Sequence, residues 1–285
     1  MVTLASVIVD GLAYAMVLFV VCVGLSVTMG LMKVVNLAHG AFALLGGVFV
    51  HVLAADHALP PTLAIALAVV AVAAIAALLE PVVFRRLYGA DPLRQVLATI
   101  ALVFLAVASV NAWQGSAILA VPLPEALSGR LDLGFRTLPV HRAFVIVAGL
   151  FLFVALYALV RLTRWGVRVR AAVDDPATAE SLGLNTATLK LVAFAGGAAL
   201  AAFGGIFGAE ILPVDAAYPL RTIALYLTVV ALGGLGNVPG TMLAALGLGF
   251  AETFARFAAP TAAPLVVFGA IALALLARPH GLGQR

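Results

Sequence analysis

Residues 11–31 read GLAYAMVLFVVCVGLSVTMGL, twenty-one positions without a charged side chain. A helix rises about 1.5 Å per residue, so this run is about 30 Å long, the thickness of a bilayer's hydrocarbon core. Residues 62–79, 96–113, 143–160 and 189–212 repeat the pattern with almost no charge inside. The chain therefore reads as an all-α polytopic membrane protein. We place helices at 5–31, 37–55, 61–80, 95–113, 143–160, 189–212, 221–233, 240–257 and 262–277. This reading gives about 8–10 transmembrane helices, with broken or half-helices near 33–40 and 233–240.

Composition agrees. Hydrophobic residues make up 65% of the 285 positions and charged residues 10%, against about 25% charged in a soluble domain. No polar tract is long enough for a separate soluble domain, so residues 1–285 form one transmembrane unit. Cys22 is the single cysteine, which excludes an intramolecular disulfide and disfavours a cysteine metal site. The net charge of +4 comes without a dense basic cluster interleaved with aromatics, so nucleic acid is not an expected partner. The first apolar run lacks a basic leader and a small-residue cleavage site, and reads as a retained span.

Basic residues set the orientation. With the N-terminus outside, eleven of the sixteen Lys and Arg residues fall on the inner side. Arg130, Arg136, Arg142, Arg221 and Arg256 fall on the outer side. An excess of positive charge marks the cytoplasmic face, so the C-terminus is expected inside. The outer segment 114–142 holds Pro122, Pro124, Glu125, Asp132 and Pro139. It reads either as an ordered cap facing an external partner or as a passive connector.

The inner segment 161–190 opens with Arg161, Arg164, Arg168 and Arg170, then runs DDPATAESLGLN from Asp174 to Asn185. That run specifies a short, self-contained helix. Asp175 is a good N-cap, Pro176 fits the first helical position and Gly183 fits a left-handed stop. Asn185 or Thr186 can cap the next span. The small side chains of Ala177, Ala179 and Ser181, with Leu182, would let this helix seat in a partner's groove. The competing reading is an interfacial linker whose arginines hold lipid headgroups.

Lys33-Val-Val-Asn36-Leu-Ala-His39-Gly40 interrupts two apolar stretches. Non-helical backbone at membrane depth must be buried in protein or face water, and such breaks often line a pathway. Asn36 can cap the following helix and His39 can donate to a carbonyl. A tight inner turn, with His39 at the headgroups, fits the same residues. A second interruption, Gly233-Gly-Leu-Gly236-Asn237-Val-Pro-Gly240, is followed by Gly247. The spacing Asn237, Gly240, Gly247 loosely echoes Asn36, Gly40, Gly46. Gly196, Gly197, Gly204, Gly205 and Gly208 read as helix-packing positions.

Asp10, Glu80, Glu210 and Glu252 sit near expected span ends, where each can reach interfacial water. Without a carboxylate at mid-membrane, ion coupling is disfavoured. His51 and His57 lack a partner cluster for a metal. The phosphate-loop, nucleophile-elbow and zinc-protease signatures are absent from the sequence, so the chain does not read as an enzyme. If it drives active transport, the energy comes from another chain or from a gradient.

Gly24-Leu25-Ser26 through Asn36-Leu37-Ala38-His39-Gly40 resembles the opening of the shorter permease subunit of branched-chain amino acid ABC importers. Arg94-x-x-Leu97-Ala98-Thr99-Ile100 is similar too. So are Arg170-Ala171 through Asp175-Pro176 to Gly183-Leu184-Asn185, Gly233 to Gly240, and the ending Arg278-Pro279-His280-Gly281-Leu282. His280 departs from the family's usual glutamine. The resemblance implies a bacterial inner-membrane permease with a homologous second permease subunit beside it. Two cytoplasmic ATPase subunits would carry ATP and Mg, no cofactor residing on this chain, and a periplasmic binding protein would deliver substrate. Residues 161–190 become the cytoplasmic coupling loop, with Asp175, Pro176, Ala179, Glu180, Leu182 and Gly183 at the ATPase contact, and 114–142 the periplasmic loop. Asn36, His39, Gly40, Gly233, Gly234, Gly236, Asn237 and Gly240 become pathway or gate candidates. The rival readings are an ion-coupled secondary transporter and a membrane scaffold.

Overall fold

The computed structural model describes residues 2–132 and 137–277. Arg136, Arg278 and the 278–282 ending lie outside the described residues. Seven of the described helices are long and apolar enough to cross a bilayer. They are α1 (Val2–Met32), α2 (His39–Val50, prolonged by a π-helical turn His51–Asp56), α3 (Pro61–Val82), α4 (Pro92–Gln114), α5 (Val140–Leu162), α8 (Thr186–Phe207) and α10 (Val238–Ala258). Two shorter helices, α9 (Tyr218–Gly233) and α11 (Ala263–Ala277), have 16 and 15 residues. Between α5 and α8 lie α6 (Arg164–Asp174) and α7 (Pro176–Ser181). A two-stranded antiparallel hairpin, β1 (Arg130–Asp132) and β2 (Thr137–Pro139), is the one piece of sheet among the described residues.

Local chemistry starts these helices where it should. Prolines stand in the first turns of α3, α4, α7, α9 and α10, where a missing N–H costs nothing. Asp91, Thr163, Asp175, Asn185 and Asn237 each place a side-chain oxygen on a first-turn N–H. In lipid such caps matter more, because no water replaces them.

Helix α1 is the axis of the bundle. It is apolar around its whole circumference and almost wholly buried, packed by α2, α5, α8, α9 and α10. Its contact with α8 is antiparallel and built on glycine. Gly208 meets Val17, Gly204 meets Val21 and Gly197 meets the Gly24 backbone. A Cβ at Gly197 would stand 2.9 Å from the Gly24 carbonyl oxygen, so close approach of the two backbones requires glycine here. The packing role expected of Gly197, Gly204, Gly205 and Gly208 is therefore met. Gly196 is different, since a Cβ there meets nothing within 4 Å.

Helices α3, α4 and α5 turn large apolar side chains outward, among them Leu78, Leu105, Phe151 and Val154. A soluble protein could not carry that surface, whereas a membrane covers it. Chain direction alternates from helix to helix. The α1–α2 break, the α3–α4 connector, α6–α7 and the α9–α10 turn consequently share one end. This basic end carries Lys33, Arg85, Arg86, Arg94, Arg161, Arg164, Arg168, Arg170 and Lys190. The opposite end carries 115–132 and 137–139, and the first of these is anchored: Leu119 N–H donates to Val214 O at 2.8 Å and His51 Nδ1 lies 2.7 Å from Ala120 O.

The basic segment after α5 departs from expectation. It is helical over Arg164–Asp174 rather than a linker leading into one short helix. Gly166, Val169 and Ala172 recur every three residues on its buried face, and Thr163 caps it through the Gly166 N–H at 3.2 Å.

Candidate functional site

After α1 the chain does not make a tight end turn. Lys33 takes a left-handed φ of 53°, and the chain folds back into the bundle with Val34, Asn36 and Ala38 buried. His39 Nε2 then lies 3.0 Å from the carbonyl of Val21. That carbonyl accepts only, so Nε2 carries the proton. Val21 precedes Met32 by eleven residues, about 16 Å at the helical rise. Helix α2 thus begins well inside the membrane, and the headgroup placement of His39 is excluded.

Non-helical backbone at that depth needs partners, and α4 supplies them. Val35 N–H donates to Gln95 Oε1 at 2.9 Å, and the Thr99 hydroxyl lies 3.3 Å from Val35 O. The Gln95 amide donates in turn to Leu87 O and Ala90 O at 3.3 and 3.0 Å, tying the break to the α3–α4 connector. Asn36 does not cap α2 as expected. Its Oδ1 accepts from Ala38 N–H at 3.0 Å, closing a local turn two residues too early, and α2 starts without a side-chain cap. Asn36 Nδ2 is buried without a hydrogen-bond partner. Gly40 rests 3.3 Å from Pro219 and Thr222 of α9, measured from where its Cβ would be.

The second interruption, 234–237, is built on backbone. Gly234 and Gly236 have φ of 87° and 72°, a region that strains side-chain-bearing residues. The Gly236 N–H donates to the Ser26 carbonyl at 2.9 Å, and the Ser26 hydroxyl donates to Gly234 O at 3.0 Å. Gly30 packs on Gly236, and a Cβ at Gly240 would stand 1.9 Å from the Gly233 carbonyl. Asn237 caps α10 through Gly240 N–H at 3.0 Å. The echo between the two breaks fails at its last member. Gly46 is pressed against Ala202, whereas a Cβ at Gly247 meets open space.

The caps expected around α7 are present. Asp175 accepts from Thr178 N–H at 3.1 Å and from its hydroxyl at 2.5 Å, Pro176 opens the helix, and Gly183 has φ 84°. The Thr178 hydroxyl, with the N–H behind it, holds the Asp175 carboxyl below its usual range. Ala179 is buried against the chain's own helices, so it cannot face a partner as expected. Glu180 accepts from the Thr186 hydroxyl, fastening α7 to α8. Leu182, at the C-cap of α7, is 78% exposed, and Ala177 is exposed as well, so these two present apolar surface outward.

The carboxylates depart most from expectation. Glu80 does not reach water: it is fully buried and accepts from Arg85 at 2.8 Å and Tyr88 at 2.6 Å. Burial first, then the bond to Glu80, pushes the Tyr88 hydroxyl well above its ordinary range. Lys190 lies 4.6 Å over the Tyr88 ring. At the opposite end Asp10 pairs with Arg142, and Glu252 accepts from Tyr14 at 2.7 Å and Arg256 at 2.6 Å. These five side chains surround a cavity of about 160 Å³. Glu210 stands 3.0 Å from buried His141. The spacing of four between Asp10 and Tyr14, and between Glu252 and Arg256, was the available sequence signal. Nothing local in the sequence ties Gln95 or Ser26 to the breaks, since their partners Val35 and Gly234 lie 60 and 208 residues away. Among the described residues no three His, Cys, Asp or Glu side chains gather to hold a metal.

Residues 7–276 match the family described as branched-chain amino acid transport system / permease component. The chain belongs to that family. It is 26% identical to the high-affinity branched-chain amino acid transport system permease protein BraD of Pseudomonas aeruginosa, over 96% of this chain and 94% of that one. It is 25% identical to the corresponding protein LivH of Escherichia coli, over 95% and 91%. A probable branched-chain amino acid transport permease protein of Methanocaldococcus jannaschii shares 24% identity over 86% and 78%. No solved structure matches the permease.

Proposed function

We propose that this permease is the transmembrane subunit of an ATP-driven importer for branched-chain amino acids or related small amides and acids. ATP and Mg are handled by two separate ATPase subunits at the basic end, which is cytoplasmic together with the C-terminus. A homologous second permease subunit and a periplasmic binding protein complete the machine in a bacterial inner membrane. The observation that carries this reading is α7. It is capped at both ends, fastened to α8 through Glu180, and offers the exposed Leu182. A push on α7 passes into α8, which packs along the axial helix α1. From there it reaches both interruptions, because α1 holds His39 through Val21 and the 234–237 turn through Ser26.

Alternating access then amounts to α2 rocking against α1 about the 234–240 turn. Asn36, with an unpaired buried amide, His39, Gly40 and the glycine turn line or gate the pathway. Asp10, Glu80 and Glu252 are each paired with an arginine, which fits a motor on another chain better than ion coupling.

The test is uptake and ATP hydrolysis by the reconstituted complex. Gly183→Pro, which destroys the left-handed stop, and Leu182→Asp should both abolish substrate-stimulated ATPase activity while leaving membrane insertion intact. Uptake that persists after ATP depletion but stops with a proton ionophore would select the ion-coupled alternative.

A further inference from the structure

We propose that the permease holds one anionic phospholipid at its basic end, an acyl chain lying between α5 and α8 and the headgroup on α6. A groove of about 400 Å³ opens there, lined by Gly24, Leu156, Val160, Trp165, Gly196 and Leu200 among others, and almost free of polar surface. It follows α8 from Val192 to Leu200, about 12 Å at the helical rise. Its floor is low because of Gly196, where a Cβ would meet nothing within 4 Å. The neighbouring Gly197 is consumed by contact with α1, so the two adjacent glycines have different jobs.

The mouth of the groove is basic and fixed in place. The Thr163 hydroxyl donates to Leu159 O at 2.6 Å and accepts from Gly166 N–H at 3.2 Å. Gly166 lies so close to Val160 that a Cβ would stand 2.0 Å from its carbonyl. Arg170 is used up inside this corner, donating to Val160 O. Arg161, Arg164 and Arg168 are exposed, and among the described residues no acidic side chain is paired with them. Trp165, next to Arg164 in sequence, lines the groove, and tryptophan favours the headgroup level. Helix α6 buries Gly166, Val169 and Ala172 and turns Arg164 and Arg168 away, as a helix lying in the interface plane does. Charge complementarity selects the occupant. Arg161 and Arg164 adjoin the lining residues Val160 and Trp165 in the chain, and exposed guanidinium groups beside a dry groove match a phosphate with an acyl chain below it. A transmembrane helix of a partner would leave them unpaired.

Native mass spectrometry of the purified transporter, titrated with phosphatidylglycerol or with phosphatidylcholine of the same acyl chains, tests this. The wild type should retain one phosphatidylglycerol per copy of this chain in preference to phosphatidylcholine. Replacing Arg161, Arg164 and Arg168 by Gln should weaken phosphatidylglycerol about fivefold per residue, about a hundredfold together, and erase the preference. Gly196→Leu points its side chain into the groove without a backbone clash and should expel both lipids. Equal retention of the two lipids by the wild type overturns the proposal. So does undiminished phosphatidylglycerol binding in Gly196→Leu. If Gly196→Leu instead separates the permease subunits while lipid retention is unchanged, the groove belongs to a partner helix and the proposal fails.

Discussion

The two interruptions of the bundle, 33–38 and 234–237, solve one problem in opposite ways. Both leave helical form in a protein whose surroundings offer no water. The first is satisfied by side chains: Gln95 and Thr99 reach across from α4 to the backbone of Val35. The second is satisfied by proximity. Glycines let α9, α10 and α1 approach until the Ser26 carbonyl and hydroxyl suffice. A side-chain clamp can be released and remade by rotamer changes, whereas a glycine contact permits little motion without opening a void. The difference suggests a moving element at 33–38 and a pivot at 234–237.

The largest effect should come from filling the pivot. In Gly240→Ala the new methyl would stand 1.9 Å from the Gly233 carbonyl, and backbone must shift. We expect a loss of about 3 kcal/mol or more, seen as a lowered unfolding midpoint in detergent. Gly247→Ala, on the same helix but in open space, should be neutral or stabilising by about 0.5 kcal/mol through helix propensity. Equal behaviour of the two variants would remove the pivot from the comparison.

Next comes the clamp. Gln95→Leu strands the Val35 N–H and releases Leu87 O and Ala90 O. An unsatisfied buried donor costs about 1–3 kcal/mol, so stability should fall by about 2 kcal/mol. Uptake should fall further than that loss explains, because α2 is no longer held in register. Ser26→Ala should do less, about 1 kcal/mol, since Gly236 N–H keeps its 2.9 Å bond to the Ser26 carbonyl. If Ser26→Ala costs more than Gln95→Leu, the assignment of clamp and pivot is reversed.

What the sequence disclosed was local. The spans followed from uncharged runs, and Asp175, Pro176, Gly183 and Asn185 announced their helix ends because a cap acts within three residues. The depth of His39 was not legible, because it depends on Val21 and Gln95, which lie 18 and 60 residues from their partners His39 and Val35. Glu80 looked like a span-end carboxylate although its partners are near in sequence, because only the fold-back of the turn after α3 brings Arg85 and Tyr88 onto it. Helix α6 could have been seen. Gly166, Val169 and Ala172 carry a helical period, but the arginines between them also suit a linker at the headgroups.

The smallest effect separates both interruptions from the projecting end. Neither Gln95 nor Ser26 titrates, whereas Asp175 does. Its folded value is lowered by the Thr178 hydroxyl and N–H, so the cap's contribution is fully present above the ordinary aspartate value of about 4. It is lost as the pH falls through the depressed folded value. Amide exchange at Thr178, followed over that acidic window, should accelerate as α7 loosens, while exchange at Val35 and Gly236 is unchanged. Asparagine caps about as well as aspartate and does not titrate there, so Asp175→Asn should hold Thr178 protected throughout. If Thr178 and Gly236 open together in the wild type, α7 and the pivot are one cooperative unit, and a push on α7 would reach 234–237 without any rearrangement at Gln95.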